Sequence, residues 1–187
     1  MPSSQQAVWD PLVRLLHWTL LGAVATAWCS TLHIGVPSRW HEPAGYTAMS
    51  CLAIRLVWGL PWRFASSRHA RFADFVAGPI ATARYAAQVL RGQAPRYLGH
   101  NPLGGWMVLA LLACIGALTV TGWLQTTDRY WGSELLETVH TTLAWSLLGL
   151  VALHVAGVVF TSHAHRENLV RAMITGRKPA ASGDDVD

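Results

Sequence analysis

Charge is scarce in this sequence. Of its 187 residues only 13% are Asp, Glu, Lys or Arg, where a soluble domain carries about 25%. That excludes an ordinary solvated globule. Cysteine is sparse too: Cys29, Cys51 and Cys114 all lie in apolar segments with no pairing pattern, and they read as buried, reduced thiols acting as small hydrophobes. No cleavable leader is visible. The first apolar run starts near Leu12, outlasts any leader's hydrophobic region and contains His17, so it reads as a span that stays. Nothing marks nucleic acid as a partner.

What is present is hydrophobic: 52% of the chain, with 10 Trp and a mean hydropathy of +0.29. Residues 1–187 read as a single membrane domain with spans at about 12–34, 41–62, 105–124 and 138–162. Apolar runs of about 20 residues mean helices. The expected fold is an all-α membrane protein, a four-helix transmembrane bundle with a cytoplasmic amphipathic segment between helices 2 and 3. That segment carries Arg63, Arg68, Arg71, Arg84, Arg91 and Arg96 against one acid, Asp74. Phe72, Phe75, Val76, Ile80 and Ala83 recur in it at helical spacing, which predicts a helix lying on the lipid surface. The turn Gly99-His100-Asn101-Pro102 ends it. The tail, Gly183 to Asp187, is expected to be disordered.

Lys and Arg set the orientation. One side holds Arg14, the six Arg of the long segment, and Arg166, Arg171, Arg177 and Lys178; the other holds Arg39 and Arg129. Both termini are therefore expected in the cytoplasm of a bacterial inner membrane, with the two short loops on the periplasmic side.

Histidines carry the chemistry. His140 and His154, fourteen residues apart, bracket an uncharged apolar run, which puts both imidazoles on one helix face about 21 Å apart. Alternating span directions place His17 at the depth of His154, and His41 at the depth of His140. Two depth-matched pairs suit two haems, each held by one His from each of two facing helices. His33 competes with His41 but lies roughly 160° around the helix from His17. His69 and His100 are expected to be solvated, and His163 and His165 to be surface residues. Histidine as interhelical glue does not predict matched pairs, and copper or zinc would recruit Cys, Met or carboxylates. Gly45, Ala144 and Gly157, one helical turn from a histidine, leave room for a flat macrocycle. Arg55, fourteen residues after His41, is costly inside a span, and a haem propionate at that depth would compensate it. No C-x-x-C-H occurs, so haem attached covalently is excluded.

The chain also resembles the bacterial cytochrome b561 family, which includes the b-type subunits of membrane hydrogenases. The matching stretches are VWDPLVRLLHW (8–18), HEPAGY (41–46), RLVWGL (55–60), ARF (70–72), GHNPLGGWMVLALL (99–112), TG (121–122) and LHVAGVVFTSHAHRENLVRAMITGRK (153–178). The resemblance implies a four-helix bundle with two noncovalent haems b on His17, His41, His140 and His154. It also implies electron exchange between a quinone pool and a second redox partner.

Bis-His iron has no open position, so such haems move electrons. The expected function is transmembrane electron transfer between ubiquinone or menaquinone and a periplasmic redox protein such as a c-type cytochrome. Glu42, Asp128, Glu134 and Glu137 outnumber Arg39 and Arg129 on the periplasmic side, which suits a basic partner. Two rival functions stay open, a superoxide:ubiquinone oxidoreductase and the anchor subunit of a hydrogenase or dehydrogenase. So does a homodimer. Whether the chain is itself an enzyme is left open by the sequence.

Overall fold

The first long helix begins at an Asp-Pro pair. Asp10 Oδ1 accepts from the Leu12 and Val13 amides at 2.8 and 3.2 Å, satisfying two of the donors a helix start leaves unpaired. Pro11 follows at the first helical position, where its missing N–H costs nothing. Helix α1 then runs Pro11–Thr31, α2 His41–Gly59, α3 Phe72–Phe75, α4 Pro79–Leu90, α5 Pro102–Gln125, α6 Glu134–Ala164 and α7 Leu169–Thr175. Strands β1 (Gln5–Ala7) and β2 (Arg177–Pro179) pair antiparallel. This computed structural model describes residues 5–32, 34–60, 68–181, 183, 185 and 186. His33, Trp62, Arg63, Asp184 and Asp187 lie outside the described residues.

Among the described residues α1, α5 and α6 are long and apolar enough to cross a membrane. At about 1.5 Å per residue they reach roughly 30 to 45 Å, enough for a hydrocarbon core of about 30 Å. The 19-residue α2 is not among them; Glu42, Ser50 and Arg55 dilute its apolar character.

The chain divides into two compact units. The first comprises Leu15–Val57 and Ala110–Val151. Its core joins Ala23 of α1, Ala48 of α2, Cys114 and Ile115 of α5 and Leu147 of α6. Small residues dominate, which lets helix backbones approach closely, as membrane helices do. Many outward-facing side chains are apolar, with Val57, Val120 and Leu148 exposed, as expected where the surroundings are hydrocarbon.

The second unit comprises Met1–Arg14, Trp58–Leu109 and Ala152–Asp187, and polar contacts hold it. Gly176 ends α7 in the left-handed conformation, φ 80°, which favours glycine. Its carbonyl accepts from the Val8 and Trp9 amides at 2.9 and 3.1 Å. Arg14 donates to the carbonyls of Met173 and Ile174, the negative end of α7. Glu167 is nearly buried and receives Lys178 Nζ at 3.2 Å and Arg96 Nη2 at 3.1 Å. Asp185 completes the cluster on Arg96 Nη1 at 2.5 Å.

Three expectations need correction here. The tail is not loose at Asp185 and Val186: the Val186 amide and carbonyl bond to the Arg96 carbonyl and Leu98 amide. His100 is not solvated; its ring packs 4.8 Å from Trp9 and 4.4 Å from Phe75. The long segment is not one amphipathic helix. Gly78 is extended, φ −64° and ψ 161°, because the residue before a proline avoids the helical region. The break sends Phe75 inward, while Ile80 beyond it is 77% exposed. Lys178, which counted toward the basic side by composition, is buried at 3% exposure.

The turn before α5 behaves as expected. Asn101 Oδ1 accepts from the Gly104 amide at 2.7 Å. A Cβ on Gly105 would stand 2.5 Å from the Phe75 carbonyl oxygen, so only glycine permits that approach.

Candidate functional site

Two of the four singled-out histidines meet in the first unit. His41, at the first turn of α2, and His140, one turn and a half into α6, have ring centroids 6.2 Å apart with planes turned by 68°. An imidazole nitrogen binds a transition metal at about 2 Å, and its ring centre lies about 1 Å beyond. Two rings on opposite sides of one ion therefore sit roughly 6 Å apart. The observed separation is that distance, so His41 and His140 would be spaced to hold one metal centre between them.

Both rings are held through the same nitrogen. His41 Nδ1 lies 3.1 Å from the Ala27 carbonyl oxygen, 3.0 Å from Thr31 Oγ1 and 3.4 Å from Ser30 Oγ. A carbonyl only accepts, so Nδ1 carries the proton. His140 Nδ1 lies 3.0 Å from Thr121 Oγ1 on α5. Engaging the far nitrogen is how proteins orient a metal-ligating histidine. It leaves Nε2 of each ring for a ligand.

Around the pair is a cavity of about 480 Å³, within the size range of small-molecule and cofactor sites. Ala27, Ala44, Gly45, Ala48, Gly122 and Ala144 are among the small residues lining it. Among the described residues, nothing beyond the helix's own adjacent backbone lies within 4 Å of where a Gly45 Cβ would be, so the space over that backbone is open. A Cβ on Gly122 would meet His140 Cε1 at 3.2 Å, so the ring lies close against α5. Trp28 and Trp145, edge-to-face at 5.2 Å, also border the cavity, as does Glu42.

Among the described residues no group of three or more His, Cys, Asp or Glu could hold a metal ion. Two imidazoles alone make a poor cage for a bare cation, which wants four or more ligands. A porphyrin that brings four nitrogens of its own suits them.

The other expected residues are placed as follows. His17 stands on α1 in the first unit, its ring edge-on to Trp18 at 5.4 Å, and His154 is half-buried on α6 in the second. Arg55 is buried on α2 at 7% exposure and is not among the residues bordering the cavity. His163 is exposed, with Nδ1 3.0 Å from the Val159 carbonyl of its own helix. The residues that sequence reasoning missed are Ser30, Thr31, Thr121 and Gly122. Thr121-Gly122 appeared only as a matching dipeptide, since a Thr inside an apolar helix carries no mark of what its hydroxyl touches.

The family model for prokaryotic cytochrome b561 matches residues 8–176. No curated protein and no solved structure matches the chain.

Proposed function

The chain belongs to the prokaryotic cytochrome b561 family, and from that premise we propose that it relays electrons between membrane quinone and a periplasmic redox protein through two haems b. Family membership makes it a bacterial membrane protein of haem b electron transfer. The observation that carries the proposal is the His41–His140 pair, 6.2 Å apart and backed by hydrogen bonds on Nδ1.

His41 and His140 would hold one haem, with Gly45 leaving space for its plane. Sequence spacing assigns His17 and His154 to the other, and Arg55 to a propionate of that second haem. Haem b with two imidazole ligands supplies an iron that changes oxidation state without binding substrate. The chain's own residues fix the ligands and keep water out. Apolar walls around the cavity raise the cost of any net charge there, which tunes the potential by burial.

Four spans with both termini in the cytoplasm would set the His41–His140 pair toward the periplasm. Glu42 at the rim, with Asp128, Glu134 and Glu137 in the same unit, favours a basic protein such as a c-type cytochrome by charge complementarity. The same carboxylates weigh against an anion such as superoxide as the electron donor.

The test is vectorial. Proteoliposomes holding the purified protein, with a quinol dissolved in the bilayer and cytochrome c outside, should reduce the cytochrome at a rate that scales with protein content. Protein-independent reduction contradicts the reading. If superoxide generated in stopped flow reduced the haem bands near the diffusion limit, the rival reading would replace it.

A further inference from the structure

The geometry points to Thr121 as a positioning residue for His140: its hydroxyl oxygen accepts the Nδ1 proton, fixes the imidazole tautomer and sets the ring's strength as an axial ligand. The inference rests on the haem reading above and extends it to a residue that ligates nothing.

Thr121 Oγ1 lies 2.8 Å from the Ala117 carbonyl oxygen, 3.0 Å from that of Leu118 and 3.0 Å from His140 Nδ1. A hydroxyl has one proton and two lone pairs. Both carbonyls can only accept, so the proton goes to the helix backbone. Oγ1 therefore meets His140 with a lone pair, and Nδ1 must be the protonated nitrogen. Nε2 is left with its lone pair free for iron.

Gly122 closes the arrangement. With a Cβ there only 3.2 Å from His140 Cε1, a larger residue would force the ring or the helix to give by a few tenths of an ångström. Thr121 and Gly122 thus act together, one supplying the acceptor and the other the clearance. His41 reaches the same tautomer by other means, with the Ala27 carbonyl and two α1 hydroxyls around its Nδ1.

An acceptor on Nδ1–H pushes electron density into the ring and raises its basicity toward the metal. A stronger axial donor favours the oxidised iron, which lowers the midpoint potential. Removing the Thr121 hydroxyl should raise it.

The experiment is a potentiometric titration of the purified, haem-loaded protein and of Thr121→Val and Thr121→Ser, with haem per chain and low-temperature EPR measured on each. In Thr121→Val one of the two midpoints is expected to rise and its low-spin EPR signal to shift, the other component staying put. Thr121→Ser, which keeps the hydroxyl, should return both to wild-type values. Loss of one haem from Thr121→Val with full loading of Thr121→Ser supports the inference equally, since Val replaces only the hydroxyl by a methyl. An unchanged or lowered midpoint in a fully loaded Thr121→Val overturns it. Failure of the haem reading itself would look different, because the wild-type protein would then carry no b-type pigment.

Discussion

The two units of this molecule treat buried polarity in opposite ways. In the second unit, Arg96, Glu167, Lys178 and Asp185 neutralise one another within a few ångströms. In the first, where Arg55 is also buried, the polar groups around the two imidazoles are uncharged hydroxyls and carbonyls, and they bond one nitrogen of each ring beside an open cavity. A cluster whose valences are all met holds the chain together and offers nothing to a ligand. A pair of rings held through one nitrogen each, beside a cavity, would have its other nitrogens available to a ligand. On the proposed haem reading, the contrast separates a cluster that stabilises the fold from a pair that would hold a cofactor.

The strongest way to break the contrast is on the charged side. Glu167→Ala would leave Lys178 and Arg96 without their shared partner, at 3% and 14% side-chain exposure. Removing one member of a buried ion pair costs about 3–5 kcal/mol. Burial already pushes the Lys178 ammonium below its usual pKa, and Glu167 opposes that shift; without it the amine would lose its proton more readily. Thermal unfolding and limited proteolysis of the detergent-solubilised variant should show a large loss of stability. Its haem content, measured at low temperature, should stay at the wild-type value. A variant as stable as wild type would mean the cluster contributes little.

A second break falls on the cavity side. Gly122→Ala places a methyl 3.2 Å from His140 Cε1 and so must move the ring or the helix. We expect weakened retention of one haem during purification, with thermal stability changed by only about 1 kcal/mol. Full retention would show that haem binding does not need the clearance Gly122 provides.

The smallest expected effect sharpens the comparison through pH. Tyr85 is buried beside Tyr97, with centroids 5.4 Å apart, and burial first, then Tyr97, pushes its phenol up to about 12 from 10.0. In the folded chain Tyr85 therefore keeps its proton where the unfolded chain has lost it. Stability falls as pH rises from about 10 to about 12. Ultraviolet titration should reveal one late-ionising tyrosine, and Tyr85→Phe should remove both the late step and that part of the alkaline stability loss.

Much of this could be read from the sequence, and the gaps have physical causes. The apolar runs give α1, α5 and α6, because a span must satisfy its own backbone and stay apolar over about 20 residues. His41 and His140 emerge as partners from depth alone. The charged cluster leaves no local trace, since Arg96 and Glu167 are 71 residues apart and Arg96 and Asp185 are 89 apart. Phe72 to Ala83 shows helical spacing, yet Gly78-Pro79 cuts it in two, and periodicity does not register a break that keeps the count. His100 looked solvated because its neighbours in sequence are turn residues, whereas its packing partners Trp9 and Phe75 are far along the chain. The hydroxyls behind the imidazoles were hidden for another reason. Ser and Thr in apolar helices commonly bond the preceding turn, and here Ser30, Thr31 and Thr121 do that while also facing a histidine.

The central claim is that His41 and His140 grip the same iron. Haem per chain, with low-temperature EPR, measured on wild type, His41→Ala and His140→Ala tests it most directly. The account predicts that each variant loses half the haem and that the same low-spin signal disappears from both. Two variants that lose different signals, or that keep the full complement, would contradict it.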